Sequence, residues 1–155
     1  MAGTAFTARV GGAYPVGSSQ AKINTGTSKK TLIQLVAPSD QRVRVKSVSI
    51  SGAGINNTHE PVEVSFFRQT NAGTMSGLTL AKQDPAITHT LRTTAQYNAT
   101  IEPSGDSVVW DSRFHPQLGC NEQFEDLWIE PAGRLGLVVK AANSIDVAAT
   151  IYCEE

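Results

Sequence analysis

The residue types that most often carry chemistry are few and scattered along this chain. None of the three histidines, His59, His89 and His115, lies within four residues of another histidine or of a cysteine. Local metal-binding motifs place two such ligands a few residues apart. The spacing therefore favours loop histidines, and a metal site assembled only through the fold is the alternative.

Nucleophile and acid–base patterns are equally weak. The run Gly73–Gly77 resembles a nucleophile elbow, but its serine stands in the fourth position and no helix pattern follows. Cys120 comes shortly after His115, yet the acidic residues beyond it disfavour a thiolate. Glu125 and Asp126 are adjacent, so on a strand they point to opposite faces and make a poor acid–base pair. We expect no enzyme, no catalytic or metal-ligating residue and no cofactor.

The clearest charged feature is a basic alternating segment. Arg42, Arg44 and Lys46 alternate with two valines, which places the three cations on one face of a strand, about 6.5–7 Å apart. Lys29 and Lys30 precede this segment. Such a face can be solvated and protect a sheet edge, or it can contact acidic protein or an anionic glycan. A nucleic-acid role is disfavoured because no aromatic side chains are interleaved and the net charge is −1.

The two halves of the chain differ in charge. Residues 1–78 carry eight Lys and Arg against three Asp and Glu, and residues 79–155 carry five against eleven. If the fold kept the halves apart, one pole could dock on an oppositely charged neighbour. The alternative is that folding mixes the charges on one surface.

The elements that position these residues are short strands. Alternating patterns and short apolar runs bounded by Gly, Pro, Asn and Asp are typical of strands. An extra residue near Lys46–Ser47 would restore the alternation and indicates a bulge. Residues 71–77 are interpreted as a loop, and residues 78–107 as a long irregular connection with a short strand over Ala95–Ile101. The strands are predicted at residues 32–36, 42–50, 62–66, 107–111, 124–129, 135–139 and 145–151.

Seven to nine short strands without an amphipathic helix predict an all-β fold. We expect a single jelly-roll-like β-sandwich over residues 31–155. Residues 1–30 are rich in Gly, Ser, Thr and Lys and have widely spaced apolar side chains. They are predicted to form an extended N-terminal arm, with a short strand near Phe6–Val10.

Composition also bounds the surroundings of the protein. The N-terminal residues have no apolar core of a signal peptide, and no stretch approaches the roughly 20 apolar residues that span a bilayer. We expect synthesis in a reducing cytoplasm and no membrane partner. Cys120 and Cys153 could form one bridge, which the sequence leaves open. Trp110 and Trp128 are interpreted as core or rim residues, with a sugar-binding platform as the alternative.

Several segments taken together resemble small head proteins of tailed phages, of the capsid decoration or cement type. The resemblance covers roughly residues 30–155 and depends on strand and turn patterns. It is carried by the segments Lys30–Pro38, Val64–Thr70 with Ala72–Thr74, Trp110 with Arg113 and His115–Gln117, and Glu130–Leu137 with the closing strand into Glu155.

The resemblance implies a structural protein on the exterior of a virion. Such a protein binds the major capsid protein, commonly as a homotrimer, and stabilises the shell through many repeated contacts. The expected contact residues are Phe6, Arg9, Tyr14, Lys29, Lys30, Arg42 and Arg44. Three alternatives stay open: a carbohydrate-binding module of a head fibre or attachment protein, an enzyme with a site in residues 78–107, and a ring-forming head-completion or tail protein.

Overall fold

The structure, a computed structural model, describes residues 3–11, 22–53, 59–105 and 107–155. These residues form strands joined by turns and contain no helix, which confirms the all-β prediction. The strands are β1 (Ala5–Val10), β2 (Ile23–Asn24), β3 (Lys30–Val36), β4 (Val43–Gly52), β5 (Val62–Gln69), β6 (Thr74–Leu78), β7 (Ala81–Lys82), β8 (Thr94–Ile101), β9 (Ser107–Phe114), β10 (Cys120–Ile129), β11 (Arg134–Lys140) and β12 (Asp146–Glu154).

The strands build two antiparallel sheets. Sheet A has the order β10-β4-β12-β1-β7, with β2 also paired to β12, and sheet B has the order β6-β8-β3-β11-β5-β9. Apolar side chains from both sheets form one buried cluster, which includes Phe6 and Ile151 from sheet A and Phe66 and Leu137 from sheet B. The arrangement is that of a β-sandwich, in which each sheet buries one face against the other.

Period-two alternation decides which face of each strand is buried. In β12, Val147, Ala149, Ile151 and Cys153 are buried while the residues between them are at least partly exposed. In β4 the pairing with β12 passes from Ser47 to Val45 and leaves Lys46 without a partner. Lys46 is therefore the bulge residue that the shifted alternation predicted, and it lets valines on both sides of it face the core.

The short strand predicted near Phe6–Val10 is confirmed as β1, but the prediction that this segment belongs to an extended arm is wrong for the residues that the structure describes. β1 lies inside sheet A between β12 and β7, and β2 pairs with β12. Phe6, Ala8 and Val10 are fully buried. Three inward side chains suffice to hold β1 in the sheet, because β1 also has hydrogen-bonded neighbours on both sides. The wide spacing of its apolar residues therefore did not indicate an exposed segment. Residues 12–21 of the predicted arm lie outside the described residues.

Residues 71–77 were also wrongly interpreted, because β6 occupies most of that stretch. β6 pairs only with β8 in the described chain and lies at the edge of sheet B. Its side chains are mostly exposed, so it has no buried face to produce an apolar alternation. The strand expected over Ala95–Ile101 is confirmed as β8.

The topology interleaves the basic and acidic halves of the chain. In sheet A, β4 from the basic half lies between β10 and β12 from the acidic half. In sheet B, β3 and β5 from the basic half flank β11 from the acidic half. Charges of opposite sign are therefore neighbours, and the two halves do not form separate poles.

Candidate binding groove beside Trp128

A groove opens on the outer face of sheet A, where β10, β4 and β12 run side by side. Arg44 of β4 is paired with Trp128 of β10 on one side and with Glu154 of β12 on the other. Residues paired across antiparallel strands share a face, so these three side chains stand together. The groove has a volume of about 810 Å³ and is lined by Gly3, Thr4, Gln41, Arg42, Arg44, Ile87, His89, Trp128, Glu154 and Glu155. We call it the Trp128 groove.

Arg44 and Trp128 form the centre of one wall. The Arg44 Cζ atom lies 5.7 Å from the centroid of the Trp128 ring, within the range of a cation–π contact. Arg44 Nη2 donates a hydrogen bond to the Glu125 carbonyl oxygen at 2.6 Å, and Trp128 Nε1 donates one to Asp126 Oδ1 at 2.6 Å. These contacts hold the indole and the guanidinium in one orientation, which favours binding without rearrangement.

Neighbouring acidic strands neutralise the predicted basic face. Arg42 Nε donates to Glu130 Oε2 at 2.8 Å, and Lys46 Nζ lies 3.2 Å from Glu154 Oε2. The side chains of Arg42 and Glu130 are 61% and 54% exposed, so this ion pair contributes at most about 1 kcal/mol to folding. A partner with its own carboxylate can therefore exchange with Glu130 at little cost.

The opposite wall is held by Glu155. Its side chain is fully buried and accepts hydrogen bonds from the Arg92 and Thr93 backbone amides and from Thr93 Oγ1. His89 Nε2 lies 3.7 Å from Glu155 Oε1. Burial raises the pKa of Glu155, but the hydrogen bonds from Thr93, Arg92 and His89 outweigh burial and leave it below its ordinary value. A carboxylate so fully occupied is a weak base and serves to position the wall.

The side chains that line the groove can bind by stacking, ion pairing and hydrogen bonding. The residues that line the groove include no serine or cysteine, and its one buried hydroxyl side chain belongs to Thr4. Within the described ranges, no group of three His, Cys, Asp or Glu side chains is placed to hold a metal ion. The groove offers an aromatic ring, two guanidiniums and an amide, which are groups that recognise a surface or a polar ligand.

Only two of the seven predicted contact residues meet in this groove, namely Arg42 and Arg44. Arg9 lies on β1, paired with Thr150, and its side chain is partly exposed on the outer face of sheet A. Lys29 directly precedes β3 of the other sheet, and its Nζ lies 3.9 Å from the centroid of the Phe67 ring. Lys30 donates to the Ala99 carbonyl oxygen.

The remaining two predicted contacts fall elsewhere. Phe6 is 0% exposed and belongs to the core, so its predicted role as a surface contact is wrong. It points inward because the register of β1 places it opposite the buried Cys153. Tyr14 lies outside the described residues.

Gln41 and His89 are groove residues that the sequence interpretation missed. Trp128 was interpreted as a core or rim residue, with a sugar-binding platform as the alternative, and was not among the predicted contact residues. Trp128 stands between Leu127 and Ile129, which are both buried. Alternate side chains of a strand point to opposite faces, so a residue between two buried neighbours has its side chain on the outer face. This position of the Trp128 indole could have been recognised in the sequence. The positions of Gln41 and His89 depend on loops whose packing has no periodic pattern.

The other tryptophan has a structural role. Trp110 contacts Phe66 and Phe124, with ring centroids 5.7 and 5.3 Å away. Phe66 is fully buried, so Trp110 closes the side of the core at the β9 edge. This confirms the core interpretation for Trp110.

Comparisons with family models, with curated proteins and with solved structures find no match to this chain. Nowhere in the described ranges is there a helix with the length and apolar character needed to cross a membrane.

Proposed function

We propose that this protein is a structural component of a phage head, of the capsid decoration type. In this proposal it binds the outside of the major capsid shell and stabilises the shell through protein–protein contacts repeated over many copies, commonly as trimers. The support is the sequence resemblance together with a rigid two-sheet body. We propose a jelly-roll form for that body because strands far apart in sequence are paired, as they are in Greek-key arrangements. β3 pairs with β11, and β4 pairs with β10 and β12.

The observation that carries the proposal is the character of the surface. Several exposed ionisable groups form ion pairs with each other, as in Arg42–Glu130 and Arg113–Glu63, and these pairs do not converge on a reacting atom. The Trp128 groove adds an aromatic ring and Arg44, the residue types enriched where protein interfaces concentrate their binding energy. Each copy needs only a modest affinity, because copies on a symmetric shell sum their contacts.

The test is to add purified protein to capsids that lack it and to measure saturable binding and resistance of the shell to heat. Arg42→Glu and Trp128→Ala are expected to weaken binding at least tenfold, since they remove an exposed cation and an aromatic anchor from the groove. Lys140→Glu is the matched control, because Lys140 is exposed on the other sheet. If the wild-type protein does not bind any such shell, the proposal fails. If the three variants bind equally, the groove is not the contact surface.

Deletion of residues 1–29 is not a useful test of the contact surface. It would remove β1 from between β12 and β7 and expose the buried face of sheet A. Arg9→Glu and Lys29→Glu probe the same region without removing a strand.

A second candidate is carbohydrate binding at the Trp128 groove, as in a head fibre or attachment protein. The observation that favours it is a half-buried indole with Asp126 hydrogen-bonded to its edge and Gln41 in the same lining. An aromatic ring flanked by a few polar groups is the usual composition of a small-ligand site. A glycan array probed with the isolated protein tests it. Binding that Trp128→Ala abolishes would support carbohydrate recognition, and the absence of any bound glycan would exclude it for the glycans on the array.

A further inference from the structure

Strand β9 ends sheet B with an open edge. It pairs with β5 and, in the described part of the chain, with no strand on its other side. Trp110–Phe114 run opposite Val62–Phe66 without a register shift, and Val109 is the extra residue of a bulge at the N-terminal end of the strand. The bulge disrupts only that end. Over these five residues, the backbone groups that do not face β5 form a regular open edge, which can template a further strand.

The side chains of this edge include exposed apolar groups. Val108 is 48% and Val109 is 37% exposed, and Val108 is paired with Phe67 of β5. Phe67 is partly exposed on the outer face of the sheet. An apolar edge without a blocking strand favours association.

Two exposed charges on the same face indicate which strand fits this edge. Asp111 and Arg113 are two residues apart, so both point to the outer face of sheet B. Arg113 Nη2 lies 3.5 Å from Glu63 Oε1, and its side chain is 71% exposed, so this pair leaves Arg113 able to contact a partner.

We infer that β9 pairs with β9 of a second copy of this chain. The two strands run antiparallel about a two-fold axis at Ser112. Asp111 of each copy then lies opposite Arg113 of the other, which gives two cross-strand ion pairs, and sheet B becomes continuous across the two molecules. The interaction goes beyond the proposed function, because it joins copies to each other without using the Trp128 groove.

The charges also select this register over its neighbours. Residues that face each other across two paired strands have their side chains on the same side of the sheet. The two-fold axis must therefore pass through a residue, and an alternative register places it at a different residue of β9. An axis at Asp111 would place the two Asp111 side chains opposite each other, and an axis at Arg113 would do the same for the two arginines. An axis at Trp110 would bring the bulged Val109 into the ladder. The exposed carboxylates of β10 belong to the other sheet, about 10 Å from β9. At that distance salt screens their interaction with Asp111 and Arg113.

Charge exchange tests this pairing in the full-length protein by sedimentation velocity. Free in solution, we expect the wild-type chain to associate through β9 in a two-fold contact that is separate from the trimer contacts of the proposed function. Asp111→Arg and Arg113→Asp are each expected to weaken this two-fold contact about tenfold or more, because each creates two like-charge contacts. An equimolar mixture of the two variants is expected to form a heterodimer, and the double variant D111R/R113D to recover the wild-type affinity. Lys22→Asp, an exposed charge reversal directly before β2, is the control and is expected to change nothing.

Circular dichroism and thermal melts check that each variant is folded. A wild-type chain that stays monomeric overturns the inference. So does an oligomer that the single variants leave intact, or a mixture of the two that fails to associate. Failure here is distinguishable from failure of the proposed function, because Asp111→Arg leaves the groove unchanged and its binding to the shell is measured separately.

Discussion

Thr93 donates two hydrogen bonds to the same carboxylate oxygen of Glu155, from its backbone amide at 2.6 Å and from Oγ1 at 2.5 Å. The Arg92 amide donates to the other oxygen, Oε1, at 3.0 Å. The Glu155 backbone also exchanges hydrogen bonds with Thr4, which precedes β1. One residue thus ties the segment before β8 to the adjacent ends of β12 and β1 in the middle of sheet A, and fixes a wall of the Trp128 groove.

Glu155→Gln is expected to destabilise the protein at neutral pH by about 2 kcal/mol, because it removes hydrogen bonds to a buried charge. The folded pKa of Glu155 lies below its ordinary value of 4.5. The stability that the Glu155 carboxylate contributes is therefore fully present above pH 4.5, and it is lost as the pH falls through the lower pKa of the folded state. Urea unfolding at a series of pH values should show the difference between wild type and variant shrinking over that acid range. Glu154→Gln, at a half-buried neighbour, is the control and should leave the acid loss in place.

Gly136→Ala is expected to lower the free energy of unfolding by about 2–4 kcal/mol. A Cβ at Gly136 would overlap the terminal amide of Gln69, which hydrogen-bonds Gln34 and Thr31 in a buried network. Moving that amide leaves buried polar groups without partners. Gly77→Ala, on β6 of the same sheet, is the control because nothing lies within 4 Å of the added carbon. Chemical denaturation compares the two, and equal effects would contradict the steric explanation.

Deleting Lys46 is expected to be tolerated far better than deleting Ser49. Lys46 is the bulge residue, so without it Val45 and Val48 still face the core in strict alternation. The loss is the ion pair with Glu154 and the local bend. Deleting Ser49 instead turns Ile50 outward, which reverses the burial of one end of β4. Thermal unfolding should separate the two deletions by more than about 2 kcal/mol, since exposing one buried isoleucine costs that much.

The two cysteines are expected to differ in reactivity and to remain unbridged within one molecule. Burial raises the pKa of the Cys153 thiol, and burial together with Glu122 raises that of Cys120, which is partly exposed. Cys120 is paired with Ile50 and Cys153 with Val45 at opposite sides of β4. They are about 13 Å or more apart along the strand, whereas a disulfide needs Cα atoms within about 7 Å.

A thiol reagent such as Ellman's reagent measures this difference. Cys120 should react slowly in the folded protein, and Cys153 only after unfolding. Cys120→Ser is the control that removes the native-state signal. Fast reaction of both thiols in the folded state would contradict the burial of Cys153.

The sequence by itself determined the fold class, several strands and one bulge. Burial of one face imposes a period of two on a strand, and this local pattern is visible in β4 and β12. The same rule could have placed Trp128 outside, between Leu127 and Ile129. It failed for β6, which buries little, and for β1, whose three inward side chains were too few to distinguish a central strand from an arm.

Only the tertiary structure decided which charges meet. The sequence shows a basic row at Arg42, Arg44 and Lys46. The residues paired with β4, however, come from at least 70 positions away, and their strands bring Glu130 and Glu154 to those cations. Strand order is a long-range property, set by how the two sheets share a core, and no local period encodes it. The groove beside Trp128 and the open edge of β9 both follow from that order.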